Sequence, residues 1–199
     1  MEISANDVMA LRKKTGVGMM DCKKALNEAN GDIEKASELL RKKGIASAEK
    51  RSGRDTKSGY IAAYVHPGSL LASMVEVDCE TDFVARNEEF QEFAKNIAMQ
   101  IVATEPLAIS ENNINPAIVE KEREIYREQA LNEGKKPEFV DKIVEGRLKK
   151  FFAENCLLSQ IYVRDESHKT TVQDLLTALI TKIGENIVIR RFVRYQVGE

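Results

Sequence analysis

The sequence predicts an α+β fold in which a small helical module precedes a mixed core. Helical periodicity fills residues 1–45, and strand-forming segments at 60–79 and 187–197 enclose further helical patterns. The chain has 199 residues, 43% of them hydrophobic, which is enough for one ordinary core and a small additional one. We therefore predict a module at 1–45, a linker at 46–58 and a core at 59–199.

Three short helices account for the predicted module. Ser4 and Asp7 form a capping box before the first helix, which Gly16 ends. A turn at 30–32 separates the second helix from the third, and we expect Gly44 to end the third. The predicted apolar stripes are Val8 and Leu11; Met19, Cys22, Leu26 and Ala29; and Ile33, Ala36, Leu39 and Leu40. Three such helices can just close a core, as in modules of the ubiquitin-associated type.

The segment 46–58 is predicted to be a flexible linker. It contains no large apolar residue, so it can bury little surface. Its four basic residues are diluted by Glu49 and Asp55. A solvated linker is therefore favoured over an RNA-binding segment.

The core is predicted to begin with a β-hairpin. Segments 60–65 and 70–79 are rich in strand formers, and His66-Pro67-Gly68-Ser69 between them is typical of a turn. Asn87 then caps a predicted helix. The apolar face of this helix consists of Phe90, Ala94, Ile97, Ile101 and Val102.

Further helices and a strand complete the predicted core. Two amphipathic helices, from Pro116 to about Leu131 and from Pro137 to about Asn155, predict an antiparallel helical hairpin at about 116–155. The segment 157–163 is either a strand or the end of the preceding helix. Another helix is predicted at 172–183.

The last segment, 187–197, is predicted to be an antiparallel strand because apolar and polar residues alternate along it. The two predicted faces are Ile189, Val193, Tyr195 and Val197 on one side, and Arg190, Arg194 and Gln196 on the other.

The most informative segment is 79–86, Cys-Glu-Thr-Asp-Phe-Val-Ala-Arg, where the hairpin gives way to a helix. Asp82 is too costly to bury unpaired, and Phe83 directly after it would bring the carboxylate into any core it entered. Such a pair suits insertion into another protein. The residues alone also allow a second interpretation, in which Asp82 caps the following helix and Phe83 folds back onto the sheet.

Composition argues against several functional classes. A net charge of −2 lacks the basic excess that a general nucleic-acid binder needs. No apolar run approaches the ~20 residues of a membrane span, and Met1-Glu2-Ile3-Ser4 lacks the features of a signal peptide, so we expect a cytoplasmic protein. Cys22, Cys79 and Cys156 are widely spaced, which favours reduced, buried thiols over disulfides or a zinc site.

The sequence shows no recognisable catalytic arrangement. It lacks a phosphate-binding loop and a metal-ligand cluster, so we expect no cofactor, no metal and no enzymatic activity. His66 and His168 are the only histidines and are too far apart in sequence to suggest a dyad.

Two motifs resemble the elongation factor Ts family, whose members are guanine-nucleotide exchange factors for elongation factor Tu. Thr81-Asp82-Phe83-Val84 is similar to the family's Thr-Asp-Phe-Val motif, and the segment 11–26 is similar to its N-terminal signature. The resemblance implies that residues 81–84 enter the GTPase domain of elongation factor Tu and promote GDP release. It also implies that Arg12, Met19 and Met20 contact a helix of that domain, and that the helical hairpin projects.

The chain resembles the short form of the family, which has one core subdomain where longer members have two. This implies a homodimer. The tip of one protomer would enter the GTPase domain of elongation factor Tu, and His66 of the other protomer would face a different domain of the same elongation factor Tu molecule. Either an open sheet edge or the helix at 172–183 could form the dimer contact. The alternative function is a non-catalytic adaptor that binds nascent chains or ribosomes through its three-helix module.

Overall fold

The computed structural model describes residues 3–198 and confirms the α+β fold. Within these residues the helices are α1 (Ala5–Thr15), α2 (Met19–Glu28), α3 (Ile33–Arg51), α4 (Asp82–Ala85), α5 (Glu88–Thr104), α6 (Pro116–Asn132), α7 (Pro137–Asn155) and α8 (Val172–Ile183). The strands β1 (Ser58–Val65), β2 (Leu71–Cys79) and β3 (Ile187–Gln196) form one antiparallel sheet in the order β1-β2-β3. None of the helices in this described range combines the length and apolar character needed to cross a membrane.

The chain divides into two compact units. The first unit comprises the described residues up to 62, together with 75–95 and 174–192. The second unit comprises 63–74, 96–173 and the described residues from 193 onwards. The boundaries of the module, linker and core at 45 and 58 stay predictions.

In the first unit, the three N-terminal helices close a core of their own. Ser4 Oγ accepts a hydrogen bond from Asp7 N at 3.2 Å, and Gly16 caps α1 with a φ of 70°, so the predicted start and end of α1 are confirmed. Met19, predicted in the apolar stripe of α2, is 53% exposed, and that prediction is wrong. The buried cluster consists of Val8, Leu11, Cys22, Ala25, Leu26, Ala29, Ala36 and Leu40.

The third helix does not end at Gly44, contrary to the prediction, but continues to Arg51. Gly44 is buried where α3 approaches α8: a Cβ atom at this position would lie 3.0 Å from Thr181 Oγ1. Arg51 Nε also donates a hydrogen bond to Gly184 O at 3.0 Å. Gly44 thus permits the close approach of α3 to α8, and residues 46–51 of the predicted linker are helical.

The turn between β1 and β2 is confirmed at 66–69. His66 N donates to Leu71 O at 2.8 Å, and Ser69 N donates to His66 O at 2.9 Å. Gly68 and Ser69 have positive φ angles of 94° and 57°, which a tight turn of this kind requires.

The start and the buried face of α5 are also confirmed. Asn87 Oδ1 accepts hydrogen bonds from Glu89 N at 2.9 Å and Phe90 N at 3.3 Å, which satisfies two free amides of the first turn. The predicted apolar residues Phe90, Ala94, Ile97, Ile101 and Val102 are all buried.

Strand β3 is present, but its predicted alternation is wrong. Ile189 is buried, and the next two residues, Arg190 and Arg191, are both exposed. Two consecutive exposed residues change the phase of the alternation, as a β-bulge does. Beyond them the side chain of Arg194 is only 11% exposed. Three residues predicted to lie on the same face as Ile189 are not buried: Val193, Tyr195 and Val197.

In the second unit, α6 and α7 form the predicted helical hairpin. Its interior is a buried cluster of Ala130, Val140, Val144 and Leu148. Ion pairs join the two helices along their exposed sides: Arg127 Nη2 lies 2.8 Å from Asp141 Oδ1, and Arg123 pairs with Glu145. Helix α7 ends at Asn155, and 157–163 forms no strand, only an isolated bridge between Ile161 and Thr171.

Substitution of Gly59 by alanine tests how tightly the sheet is packed. A Cβ atom at Gly59 would lie 2.6 Å from Val77 O and 3.0 Å from Asp78 Oδ1, so Gly59→Ala forces neighbouring backbone to move. We expect the free energy of unfolding to fall by about 1–3 kcal/mol, measured by urea denaturation.

The matched control is Gly146→Ala on α7, where an added Cβ has nothing within 4 Å. Removing a glycine from a helix interior should raise the free energy of unfolding by up to about 1 kcal/mol. A destabilisation by Gly146→Ala equal to that of Gly59→Ala would contradict the packing explanation.

Candidate partner-binding site

The predicted tip, residues 81–84, directly follows the central strand of the sheet. Strand β2 ends at Cys79, and Thr81 begins α4 as its N-cap, with its hydroxyl accepting from Val84 N at 3.4 Å. Asn87 then caps α5. Thr81 and Asn87 therefore supply the caps, and the interpretation in which Asp82 caps the helix is wrong.

Phe83 is the most conspicuous side chain of the tip because it is 80% exposed. The alternative in which Phe83 folds back onto the sheet is therefore wrong. Helix α4 contains no buried residue, so packing does not explain why an aromatic stands here. An exposed aromatic on a short helix between two long elements is well placed for contact with another protein.

Asp82 is engaged only on the surface. Its Oδ2 lies 2.9 Å from Arg86 Nη2, one helical turn further on, and both side chains are more than half exposed. Such pairs contribute about 0–1 kcal/mol, so Asp82 can exchange Arg86 for a partner's polar group at little cost.

Thr81 faces Glu185, which lies between α8 and β3. Thr81 Oγ1 donates to Glu185 Oε1 at 2.6 Å, and the backbone amides of Thr81 and Glu80 donate to Glu185 Oε2 at 3.0 and 3.1 Å. Sequence reasoning missed Glu185, because a contact over 104 residues leaves no local pattern.

The Cys79 thiol lies buried beside the tip. It donates to Thr81 O at 3.2 Å, and burial raises the pKa of Cys79 to about 11, with the charge of Glu185 acting in the same direction. Burial likewise raises the pKa of Cys156 to about 11. Cys22, Cys79 and Cys156 are buried free thiols, which confirms the prediction of reduced cysteines.

The second predicted set, Arg12, Met19 and Met20, lies on α1 and α2. Met19 and Met20 are 53% and 67% exposed at the start of α2, and Arg12 is exposed in the last turn of α1. Met9, one turn before Arg12, is 61% exposed. Sequence reasoning missed Met9, although its spacing of three residues from Arg12 could have indicated it.

His66, the weakest of the predicted contacts, lies on the β1–β2 turn of the second unit. Its Nδ1 is 3.1 Å from Tyr64 Oη, and the two rings meet edge to face. This pairing gives His66 a defined orientation on an exposed turn.

Phe83, Met19 and Met20 are exposed at the surface of the described chain. No group of three or more His, Cys, Asp or Glu side chains among residues 3–198 could hold a metal ion. The tip presents one aromatic ring, which can insert between packed side chains of another protein. It also presents one carboxylate, which can compete for polar contacts there.

Comparison with known proteins identifies the family. A family model described as Elongation factor TS matches residues 48–171, which include the tip. The chain is 57% identical over 197 residues to an elongation factor Ts of Thermoanaerobacter sp. (strain X514), covering 99% of this chain and 96% of the relative. It is 55% identical over 198 residues to an elongation factor Ts of Nitratidesulfovibrio vulgaris, covering 100% of this chain and 98% of that relative. The chain belongs to the elongation factor Ts family.

Proposed function

We propose that this chain is a guanine-nucleotide exchange factor that promotes release of GDP from elongation factor Tu during translation elongation. In this proposal, residues 81–84 enter the partner's GTPase domain. The 80% exposure of Phe83 carries the proposal. A large ring kept out of the chain's own core is available to part packed helices in another protein.

The mode of action needs no catalytic side chain. A GTPase holds its nucleotide through phosphate contacts and Mg²⁺, and a factor that binds the nucleotide-free form better than the GDP form weakens GDP binding. The coupling is reciprocal: GDP lowers the affinity of the factor by the same ratio. The chain would therefore bind both the GDP-bound and the nucleotide-free partner, and incoming nucleotide would release it.

The N-terminal helices would provide a second contact with the GTPase domain. Exposed methionines adapt to a partner's surface because their side chains are flexible and polarisable. Met19 and Met20 meet this description, and Arg12 adds a charge near them. Met9 extends the proposed surface by one helical turn.

We also propose a homodimer. Exposed apolar side chains on strands and turns of the second unit support a contact through the sheet; they are Val65, Leu70, Met74, Tyr195 and Val197. Helix α8 is a weaker candidate, because Leu176, Leu179 and Ile180 are already buried in the first unit. In the dimer, His66 of one protomer would face another domain of the same partner molecule. A translation factor of this kind would work in the cytoplasm.

Phe83→Ala tests the proposed wedge. The ring is exposed in the free chain, so the melting temperature should stay nearly unchanged, far from the ~3–5 kcal/mol lost with a core aromatic. Release of labelled GDP from elongation factor Tu should slow by roughly 30-fold, the loss expected of an aromatic hot spot. The control is Phe139→Ala, which removes a ring that is 53% exposed on α7 and should leave exchange unchanged. Equal exchange rates for both variants would refute the wedge.

The N-terminal surface is tested with a Met19→Ala, Met20→Ala double variant. Both side chains are exposed, so folding should be preserved while the affinity for nucleotide-free elongation factor Tu falls by about tenfold, measured by calorimetry. Leu107→Ala removes another side chain that is 58% exposed and serves as the control. If the methionine variant binds with unchanged affinity, the N-terminal module does not dock on elongation factor Tu.

Light scattering at micromolar concentration tests the dimer. We expect twice the 22.4 kDa mass of one chain, with or without reductant, because the cysteines are buried. Tyr195→Lys should shift the mass toward 22.4 kDa, whereas Leu107→Lys should not. A wild-type mass near 22.4 kDa together with full exchange activity would exclude the dimer.

A further inference from the structure

We propose that Glu185 is a positioning residue for nucleotide exchange: its carboxylate fixes the direction in which the tip presents Phe83. This inference rests on the proposed exchange function. Glu185 itself does not belong to the tip, and it acts through the backbone and hydroxyl of the residues that precede Phe83.

The contact is reciprocal, since each of two chain segments supplies a carboxylate to the other's backbone. Glu185 accepts from the amides of Glu80 and Thr81, while Glu80 Oε1 accepts from Asn186 N at 2.6 Å. We call this arrangement the carboxylate clasp. Arg54 Nη1 lies 3.3 Å from Glu80 Oε1 and brings a positive charge to the clasp.

The clasp matters because little else anchors α4. The helix has no buried residue, and Asp82 makes only a surface ion pair. At its far end, Gln91 Nε2 donates to Ala85 O at 3.0 Å. At its near end, the anchoring contacts are those of Glu185 and the thiol of Cys79. Val84 and Ala85 are only half-buried, so the orientation of the tip depends largely on these hydrogen bonds.

A fixed tip inserts at lower entropic cost than a mobile one. Charge-assisted hydrogen bonds are short and directional, so a carboxylate that accepts three of them restrains the N-cap of α4 and the residue before it. Loss of these bonds would leave Phe83 exposed as before, but without a defined direction.

The first measurement uses the free full-length chain. Glu185→Ala removes all three acceptor contacts, and hydrogen–deuterium exchange at the amides of Glu80 and Thr81 should quicken by about tenfold or more. Glu185→Gln retains one carbonyl oxygen and should recover part of the protection. Glu89→Ala, which removes a carboxylate paired with Lys182 of α8, is the matched control and should leave both amides unchanged. Unchanged protection in Glu185→Ala would overturn the proposal.

The second measurement asks whether Glu185 acts through Phe83. Glu185→Ala should lower the maximal rate of GDP release by about tenfold, as expected from the loss of hydrogen bonds to a charged group. In a Phe83→Ala background the same change should have less than about a twofold effect, because the two residues serve one step. Equal losses in both backgrounds would show a general effect on the fold and overturn the positioning role.

The two measurements separate this inference from the proposed function. A wild-type chain that fails to accelerate GDP release refutes exchange activity, while the amide protection still reports on the clasp. A wild-type chain that is active, combined with a fully active Glu185→Ala variant, refutes the positioning role alone.

Discussion

The carboxylate of Glu185, with three hydrogen bonds from Glu80 and Thr81, is the constraint on which the candidate site depends. It joins the end of β2 to the corner between α8 and β3, segments more than 100 residues apart in sequence. Because the tip is held by hydrogen bonds at its base, the partial burial of Val84 and Ala85 is enough apolar contact for it. Phe83 can therefore remain exposed without loosening the sheet beneath it. In the proposed account, Glu80 and Thr81 hold the tip, while Phe83 is the residue that contacts the partner.

Local sequence signals predicted most of the elements. The capping box at Ser4, the cap at Asn87 and the turn at His66 each act within a few residues, so their chemistry is visible in the sequence. Interactions between distant segments were not predictable. Gly44 was expected to end a helix, but its missing Cβ serves the approach of α8. The change of phase at Arg190 and the contact with Glu185 likewise depend on tertiary structure.

The candidate site shows the same limit. The residues alone left two interpretations of Asp82 and Phe83 open, and the resemblance to the Thr-Asp-Phe-Val motif favoured the one in which the ring is exposed, with which the structure agrees. Thr81 was grouped with them by motif alone. Its hydroxyl faces Glu185 inside the chain, so Thr81 holds the tip in place while Phe83 and Asp82 remain available to a partner. In the proposed account, neighbouring residues of one motif therefore have two kinds of role, which only their three-dimensional contacts distinguish.

The most direct test of the central claim is the thermodynamic coupling between GDP and this chain on elongation factor Tu. The affinity of the chain for the partner is measured with and without saturating GDP, for the wild type and for Phe83→Ala. If the ring acts as the wedge, GDP weakens binding of the wild type strongly, and the ratio of the two affinities approaches one in Phe83→Ala. If Phe83→Ala lowers both affinities equally and leaves the ratio intact, the ring is a simple contact and the account is contradicted.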